Sequence, residues 1–134
     1  LIKVMKSDKS LEVANLMQEL KNQDDIKNPN IVKVVKNKDD IALYFSREPI
    51  PTDSKVGEVP MGKQICVIPF RRNFLTIYNK LKPTPLEIAE SIDMMRVLEH
   101  GMNVRMVPTN YNTHAVDTDE DLLKVSKLME SNKL

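Results

Sequence analysis

The chain has 134 residues, of which 41% are hydrophobic and 29% are charged, and its formal net charge is +1. This composition is typical of a globular domain, and the near-neutral charge excludes the broad basic surface by which proteins bind nucleic acid or an anionic membrane. One cysteine and two histidines cannot form an internal disulfide or a cysteine–histidine metal cluster, which favours a reducing, cytoplasmic setting. No apolar run reaches the roughly 20 residues that a membrane span needs.

The first third of the chain predicts a helix followed by a β-hairpin. Apolar residues near helical spacing predict a helix over about residues 9–21, and Leu1–Met5 fits either the end of an earlier helix or a strand. The breaker Asn28-Pro29-Asn30 precedes two β-branched or aromatic runs, Ile31–Lys36 and Ile41–Ser46, with four polar residues between them. Two such runs around a short polar loop are typical of a hairpin.

The middle of the chain predicts a buried strand and two helices. The largely apolar run over residues 64–70 favours a buried strand, in which Cys66 is expected to act as a small hydrophobic side chain. A helix is predicted over residues 71–81. The sequence Thr84-Pro85-Leu86-Glu87 has the pattern of a capping box with proline at the first helical position, and it predicts a helix that runs to His100.

The last third predicts a strand and a helix. Gly101 suits the left-handed cap at the end of the preceding helix, and Asn103–Val107 predicts a strand. Thr118 and the acidic residues after it favour the start of a helix that extends to about Ser131. The residues expected to face inward from this helix are Leu122, Val125, Leu128 and Met129. The mixed order of helices and strands indicates an α/β domain.

Four segments of the chain carry a pattern in their order and spacing. They are Asn28–Val35, Ala42–Pro51, Pro83–Gly101 and Ala115–Leu122. Together they resemble the 3-deoxy-manno-octulosonate cytidylyltransferases, also called CMP-Kdo synthetases, over most of the chain from Asn28 onward. The resemblance implies a Rossmann-like nucleotide-diphospho-sugar transferase fold with a mixed sheet and flanking helices. Residues 1–134 are expected to form a single partial domain, the C-terminal part of that fold.

The resemblance also implies a reaction and a quaternary structure. Members of the family join CTP to a 2-keto-3-deoxy sugar acid such as Kdo, with Mg²⁺, and give pyrophosphate and the CMP-sugar that enters lipopolysaccharide or capsule. The hairpin and the segment after it, about residues 31–62, are expected to form a protruding dimerisation arm, so a homodimer is predicted. The alternative that stays open is a non-catalytic dimerisation or ligand-binding module derived from the same fold.

The family has two further elements that this sequence lacks. One is a basic, glycine-containing loop that holds the CTP triphosphate, and the other is a Gly-Asp-Glu-Pro motif with a second metal-binding aspartate. The glycines of this chain, Gly57, Gly62 and Gly101, do not form a phosphate-binding pattern. The chain begins at Leu1 rather than Met, and it is expected to be a fragment that does not bind CTP productively by itself. No catalytic residue is assigned within it.

Four residues are implied by the resemblance to bind the sugar acid. These residues are Arg47, Gln64, Asp93 and Arg96. The Arg47 guanidinium can hold a carboxylate through two parallel hydrogen bonds, although a solvated loop arginine is the alternative. Gln64 and Asp93 stand where the family usually has His and Glu. Arg96 keeps the family identity and either faces the site or pairs with Glu99 or another nearby acid.

Two apolar residues also depart from the family pattern in the predicted pocket. Ile68 replaces the usual Tyr, and Met94 replaces the usual Gln. Removing hydrogen-bonding partners changes discrimination between substrates by orders of magnitude. The four changes together indicate a 2-keto-3-deoxy acid other than Kdo, or a pocket that has lost its function.

One carboxylate is implied to bind the metal. Asp117 matches the aspartate before Thr in the family motif Val-Asp-Thr-Pro-Glu-Asp-Leu, although Asp119 here replaces its proline. Mg²⁺ commonly takes one or two carboxylates together with phosphate oxygens. Without the resemblance, Asp117 would be interpreted as an acidic residue at a helix start.

Overall fold

A mixed five-stranded sheet organises the part of the chain that the computed structural model describes, which is residues 1–52, 61–111, 113–116 and 118–131. The strands are β1 (Ala14–Glu19), β2 (Lys33–Lys36), β3 (Ala42–Ser46), β4 (Gly62–Ile65) and β5 (Arg105–Pro108). The helices are α1 (Ile2–Ser7), α2 (Gln23–Lys27), α3 (Arg72–Tyr78), α4 (Pro85–Glu90), α5 (Met94–Glu99) and α6 (Asp119–Glu130). The strand order is β3-β2-β4-β1-β5, so the predicted α/β class with a mixed sheet is confirmed.

The helix predicted over residues 9–21 is wrong, because no residue of this segment is helical and its central part forms strand β1. β1 pairs in parallel with β5 on one edge and antiparallel with β4 on the other. Val13 and Ala14 are buried where the strand begins. Pairing on both edges thus overrides the helical spacing of the apolar residues, as tertiary context often does. For the segment Leu1–Met5, the sequence allowed either the end of a helix or a strand. The structure shows a helix, α1.

The predicted hairpin is confirmed by the antiparallel pair β2 and β3. Val34 and Phe45, one from each strand, are almost completely buried in the main core. The Asn37 side-chain oxygen accepts hydrogen bonds from the backbone N–H groups of Asp39 and Ile41, each at 2.9 Å, and so shapes the turn. Within the described residues of the predicted arm, β2, β3 and Gly62 at the start of β4 are therefore part of the sheet.

The strand predicted over residues 64–70 ends early, at Ile65. The Val67 and Pro69 carbonyls still accept hydrogen bonds from β1. Cys66 and Ile68 make no backbone hydrogen bond to another described residue, so this stretch is paired along one edge. The prediction that Cys66 is buried is wrong: its thiol is exposed.

The single helix predicted from Thr84 to His100 is two helices, α4 and α5, in the structure. The chain reverses at Ser91, whose φ of 54° lies in the left-handed region that ends a helix. The Glu87 carboxylate accepts a hydrogen bond from the Thr84 N–H at 3.1 Å, which confirms the capping interaction. Gly101, with a φ of 73°, confirms the predicted cap after α5.

Helix α6 is confirmed, but its predicted inward-facing set is wrong. Leu122 and Met129 are 53% and 61% exposed. Val125 and Leu128 are only partly buried. The apolar stripe therefore exists, but the described residues do not cover it.

A buried lysine fastens the start of the hairpin. The fully buried Lys33 ammonium donates hydrogen bonds to the carbonyl oxygens of Asn28 at 2.8 Å and Ile31 at 3.0 Å. Its third donor reaches the Arg47 carbonyl at 2.5 Å. Burial lowers the pKa of Lys33, because the charged form loses water, and the three carbonyls replace that water. Lys33 thus joins the loop before β2 to the end of β3.

Replacing Lys33 is predicted to destabilise the fold. The Lys33→Met variant loses all three hydrogen bonds. The Asn28 carbonyl still accepts from the Ile31 N–H, but the partly buried Ile31 and Arg47 carbonyls lose the lysine donor, so we expect the free energy of unfolding to fall by about 2–4 kcal/mol. The matched control is Lys36→Met, which removes a partly exposed ion pair with Asp40. That control is expected to cost less than about 1 kcal/mol. Urea unfolding of both variants measures the difference, and equal losses would contradict this role of Lys33.

Candidate functional site

A cavity of about 490 Å³ opens between the hairpin, β4 with the residues after it, the α4–α5 turn and the start of α6. Its polar lining residues are Asn30, Arg47, Gln64, Ser91, Asp93 and Thr118. The rest of the lining consists of the Cys66 thiol and four apolar residues, Val32, Ile68, Ile92 and Met94. Three of the four residues predicted to bind the sugar acid therefore line one cavity, together with both apolar departures from the family pattern.

Arg47 lines the cavity and also holds its walls together. Its Nε donates to the Glu90 carbonyl at 2.7 Å, and its Nη2 donates to the Ser91 carbonyl at 3.1 Å. Its Nη1 donates to the Pro29 carbonyl at 2.9 Å. A guanidinium has five N–H donors, so within the described part of the chain these three bonds leave one donor on each terminal nitrogen. Those two donors are the ones that a bound carboxylate can use.

The Glu90 carboxylate anchors the α4–α5 turn to the hairpin. It accepts hydrogen bonds from the Tyr44 hydroxyl at 3.2 Å, the Ser46 hydroxyl at 3.1 Å and the Arg47 backbone N–H at 2.8 Å. Burial, and then the negative charge of Glu90, raises the pKa of Tyr44. Sequence reasoning missed this role of Glu90, since nothing in its local pattern indicates partners more than 40 residues away.

Asn15 is a second residue that sequence reasoning missed. It is completely buried in β1, and its side-chain oxygen accepts a hydrogen bond from the Gln64 amide nitrogen at 2.6 Å. Its own amide nitrogen donates to the Leu16 and Ile65 carbonyls. A buried asparagine inside a strand is the signal that could have found it, but that segment predicts a helix from sequence.

Arg96 is not among the residues that line the cavity. Its guanidinium donates to both carboxylate oxygens of Glu87, with Nε at 2.7 Å from Oε2, and it lies 5.0 Å from the centre of the Tyr78 ring. Of the two alternatives for Arg96, the structure shows the pairing with a nearby acid, which is Glu87 rather than Glu99. The Glu99 carboxylate instead accepts from the N–H groups of Leu86 and Glu87 at the start of α4. Arg96 thus supports the α4–α5 wall of the cavity.

The predicted metal ligand Asp117 lies outside the described residues. Its neighbour Thr118 lines the cavity and accepts a hydrogen bond from the Asp121 N–H as the cap of α6. Among the residues that the structure describes, no group of three or more His, Cys, Asp or Glu side chains is arranged to hold a metal ion. Within the same residues, no helix is both long and apolar enough to cross a bilayer.

Comparison with known proteins identifies the family. The family model described as cytidylyltransferase matches residues 1–105. The chain belongs to this family. A 3-deoxy-manno-octulosonate cytidylyltransferase from Fusobacterium nucleatum is 40% identical over 134 residues, which are 100% of this chain and 55% of that protein. The enzyme of the same name from Christiangramia forsetii is 41% identical over 132 residues, which are 96% of this chain and 53% of that protein.

A solved structure agrees with these relatives. It is described as CMP:2-keto-3-deoxy-manno-octonic acid synthetase complexed with CTP, and it superposes with a TM-score of 0.90 at 33% identity. The match covers 98% of this chain and 54% of that one. The resemblance found in the sequence is confirmed, and the chain spans about half the length of the curated relatives it matches.

The Glu87–Arg96 pair predicts a specific dependence of stability on pH. The hydrogen bonds from Arg96 lower the pKa of Glu87, so the native state favours the ionised carboxylate. This stabilisation is fully present above the ordinary glutamate pKa of about 4.3 and is lost as the pH falls through the lowered pKa. In Glu87→Gln, we expect lower stability at neutral pH and a smaller further loss on acidification than in the unmodified chain.

The measurement is urea unfolding at a series of pH values from neutral to acidic. The matched control is Glu130→Gln, which changes an exposed glutamate at the end of α6. It is expected to follow the unmodified chain across the whole range. If Glu87→Gln also follows the unmodified chain, the pair does not stabilise the fold.

Proposed function

We propose that the chain is the sugar-acid-binding part of an enzyme that joins CTP to a 2-keto-3-deoxy sugar acid, Kdo or a relative. The products are pyrophosphate and a CMP-sugar for lipopolysaccharide or capsule synthesis, and the setting is the cytoplasm. Membership of the cytidylyltransferase family supports the reaction class. The names of the relatives, which are 3-deoxy-manno-octulosonate cytidylyltransferases, support the substrate class.

The lining of the cavity is the observation that carries the proposal. A volume of about 490 Å³ is in the range of small-molecule sites. The two unused donors of Arg47 can bind the carboxylate of the sugar acid, because a guanidinium matches a carboxylate with two parallel hydrogen bonds. Gln64 and Asp93 supply polar groups for hydroxyls. Arg96, the fourth predicted residue, acts in this proposal through the wall that it supports.

The apolar part of the lining favours a sugar acid that differs from Kdo in its hydroxyl groups. Cys66, Ile68 and Met94 offer weak hydrogen-bonding groups or none, so a hydroxyl placed against them would lose its bonds to water without full replacement. A substrate with a less polar group at that position avoids this cost. Titration with a panel of 2-keto-3-deoxy acids ranks the candidates.

Mg²⁺ is the cofactor in this proposal, and Asp117 is its ligand from this chain. One carboxylate fits an ion that takes its remaining ligands from phosphate oxygens, water and a second carboxylate. When bound, Mg²⁺ supplies neutralisation of the charge on the phosphates of CTP. The triphosphate-binding loop and the second aspartate of the family are not in these 134 residues, so the isolated chain is proposed not to turn over CTP.

The sugar-acid site is tested by titrating the chain with Kdo and following the backbone amides by NMR. Shifts are expected to cluster at the cavity. Arg47→Lys is expected to weaken binding by tenfold or more, because a lysine has three donors, too few to hold the three carbonyls and a carboxylate as well. The matched control Arg72→Lys, on the exposed face of α3, should bind like the unmodified chain. Shifts elsewhere, or equal affinity of both variants, would contradict the site.

The metal assignment is tested in the complete enzyme by Asp117→Asn. Loss of the negative charge removes the metal ligand, so we expect turnover to fall by at least about 100-fold, with a melting temperature close to that of the unmodified enzyme. Asp119→Asn, two residues further along, is the matched control and should keep its activity. Normal turnover of the Asp117 variant would contradict metal binding there.

We also propose that the hairpin and the segment after it, about residues 31–62, mediate a homodimer. Leu43 on β3 is 60% exposed, as expected for an apolar side chain that a second copy covers. Sedimentation equilibrium at micromolar concentration should give twice the mass of the chain, and Leu43→Lys should shift it toward the monomer. Leu75→Lys on α3 is the control, since Leu75 is also exposed. A mass equal to that of one unmodified chain would contradict this proposal.

A non-catalytic module is the second candidate, and the four departures in the cavity favour it. A ligand-binding or dimerisation unit can keep the fold without the chemistry. Calorimetry of the complete protein with CTP, Mg²⁺ and the panel of sugar acids separates the two. Turnover with any sugar acid supports the enzyme, whereas binding without turnover supports the module.

A further inference from the structure

The amide groups of Asn15 and Gln64 form a chain of hydrogen bonds from the inside of the sheet to the cavity. Asn15 is completely buried, and Gln64 lines the cavity. Gln64 pairs with Met17 across β1 and β4, which places its side chain on the same face of the sheet as that of Asn15. The two amides meet at 2.6 Å.

The surroundings of Asn15 determine which of its atoms is oxygen and which is nitrogen. One end of the amide lies 2.6 Å from the Ile65 carbonyl oxygen and 2.9 Å from the Leu16 carbonyl oxygen. Carbonyl oxygens only accept hydrogen bonds, so the atom that faces them must be the donor nitrogen Nδ2. The other end, which faces Gln64, is therefore the acceptor oxygen Oδ1.

The orientation of Gln64 follows from that of Asn15. Since Oδ1 accepts, the Gln64 atom beside it must be the donor Nε2, and its carbonyl oxygen Oε1 is turned away from Asn15. Within the described residues, Gln64 Oε1 makes no hydrogen bond. A glutamine without such a partner can rotate its amide and offer either end to a ligand. Here, rotation would bring Oε1 of Gln64 against Oδ1 of Asn15, and both atoms are acceptors.

We propose that Asn15 is a positioning residue that locks Gln64 so that its carbonyl oxygen Oε1 accepts a hydrogen bond from the ligand of the cavity. This inference rests on the proposed function for the identity of the ligand. It deepens that function, because it predicts that the ligand group beside Gln64 is a hydrogen-bond donor. Such a group is a hydroxyl or an N–H. The site thereby rejects an analogue that presents only an acceptor at this position.

The ligand-free chain tests the locked orientation. In NMR spectra, one Nε2 proton of Gln64 is expected to exchange with water at least tenfold more slowly than the side-chain amide protons of Asn103, which is exposed. Asn15→Ala should abolish that protection. Equal exchange rates at Gln64 and Asn103 in the unmodified chain would overturn the locked orientation, whatever the cavity binds.

A double-mutant cycle with Kdo as the probe tests the consequence for binding. Asn15→Ala is expected to raise the dissociation constant about tenfold in the unmodified chain and less than twofold when Gln64→Ala is already present. Its effect on the melting temperature is expected to be smaller in the second background, because the hydrogen bond between the two side chains is already absent there. A purely structural role would raise the dissociation constant equally in both, which would overturn positioning through Gln64.

Two further outcomes are decisive. If Asn15→Ala does not fold, Gln64→Met replaces it, because it removes the acceptor and keeps the bonds of Asn15 to the backbone. Unchanged affinity of Gln64→Met would overturn the role of Oε1. If the unmodified chain does not bind Kdo or any other 2-keto-3-deoxy acid, the proposed function and the ligand part of this inference both fail, while the exchange rates still decide the orientation.

Discussion

The candidate site depends on the pairing of Glu90 and Arg47 more than on any other interaction. The carboxylate of Glu90 receives three donors from the end of β3, and the guanidinium of Arg47 returns bonds to the α4–α5 turn and to the loop before β2. Three segments that are far apart in sequence thereby become neighbouring walls of one cavity. Because hydrogen bonds to charged groups are stronger than those between neutral groups, the cavity is held open in advance of any ligand.

Much of the fold could be predicted from local patterns, and the failures have identifiable causes. The hairpin and β5 follow from β-branched or apolar runs and turn residues, α3 from the spacing of its apolar residues, and α6 from its cap. β1 could not be predicted, because its apolar spacing suits a helix and only its pairing with two neighbouring strands makes it extended. The break at Ser91 was missed because a left-handed serine has no sequence signal as clear as that of Gly101.

The predicted site was recovered in part for similar reasons. Arg47, Gln64 and Asp93 came from the resemblance to a family, and the structure brings all three to one cavity. Asn15 and Glu90 act through contacts with residues that are distant in sequence, so no local pattern could indicate them. The wrong prediction that Cys66 is buried also comes from contacts that local sequence does not reveal. Its segment is paired along one edge, and such a segment exposes residues that a fully paired strand would bury.

The central claim is that this cavity receives the sugar acid of a cytidylyltransferase. A crystal structure of the chain soaked with a 2-keto-3-deoxy sugar acid tests it most directly. The account predicts the ligand in the cavity, with its carboxylate on the two free donors of Arg47 and a hydroxyl or N–H group on Oε1 of Gln64. A ligand bound elsewhere, or bound in the cavity with its carboxylate away from Arg47, would contradict the account.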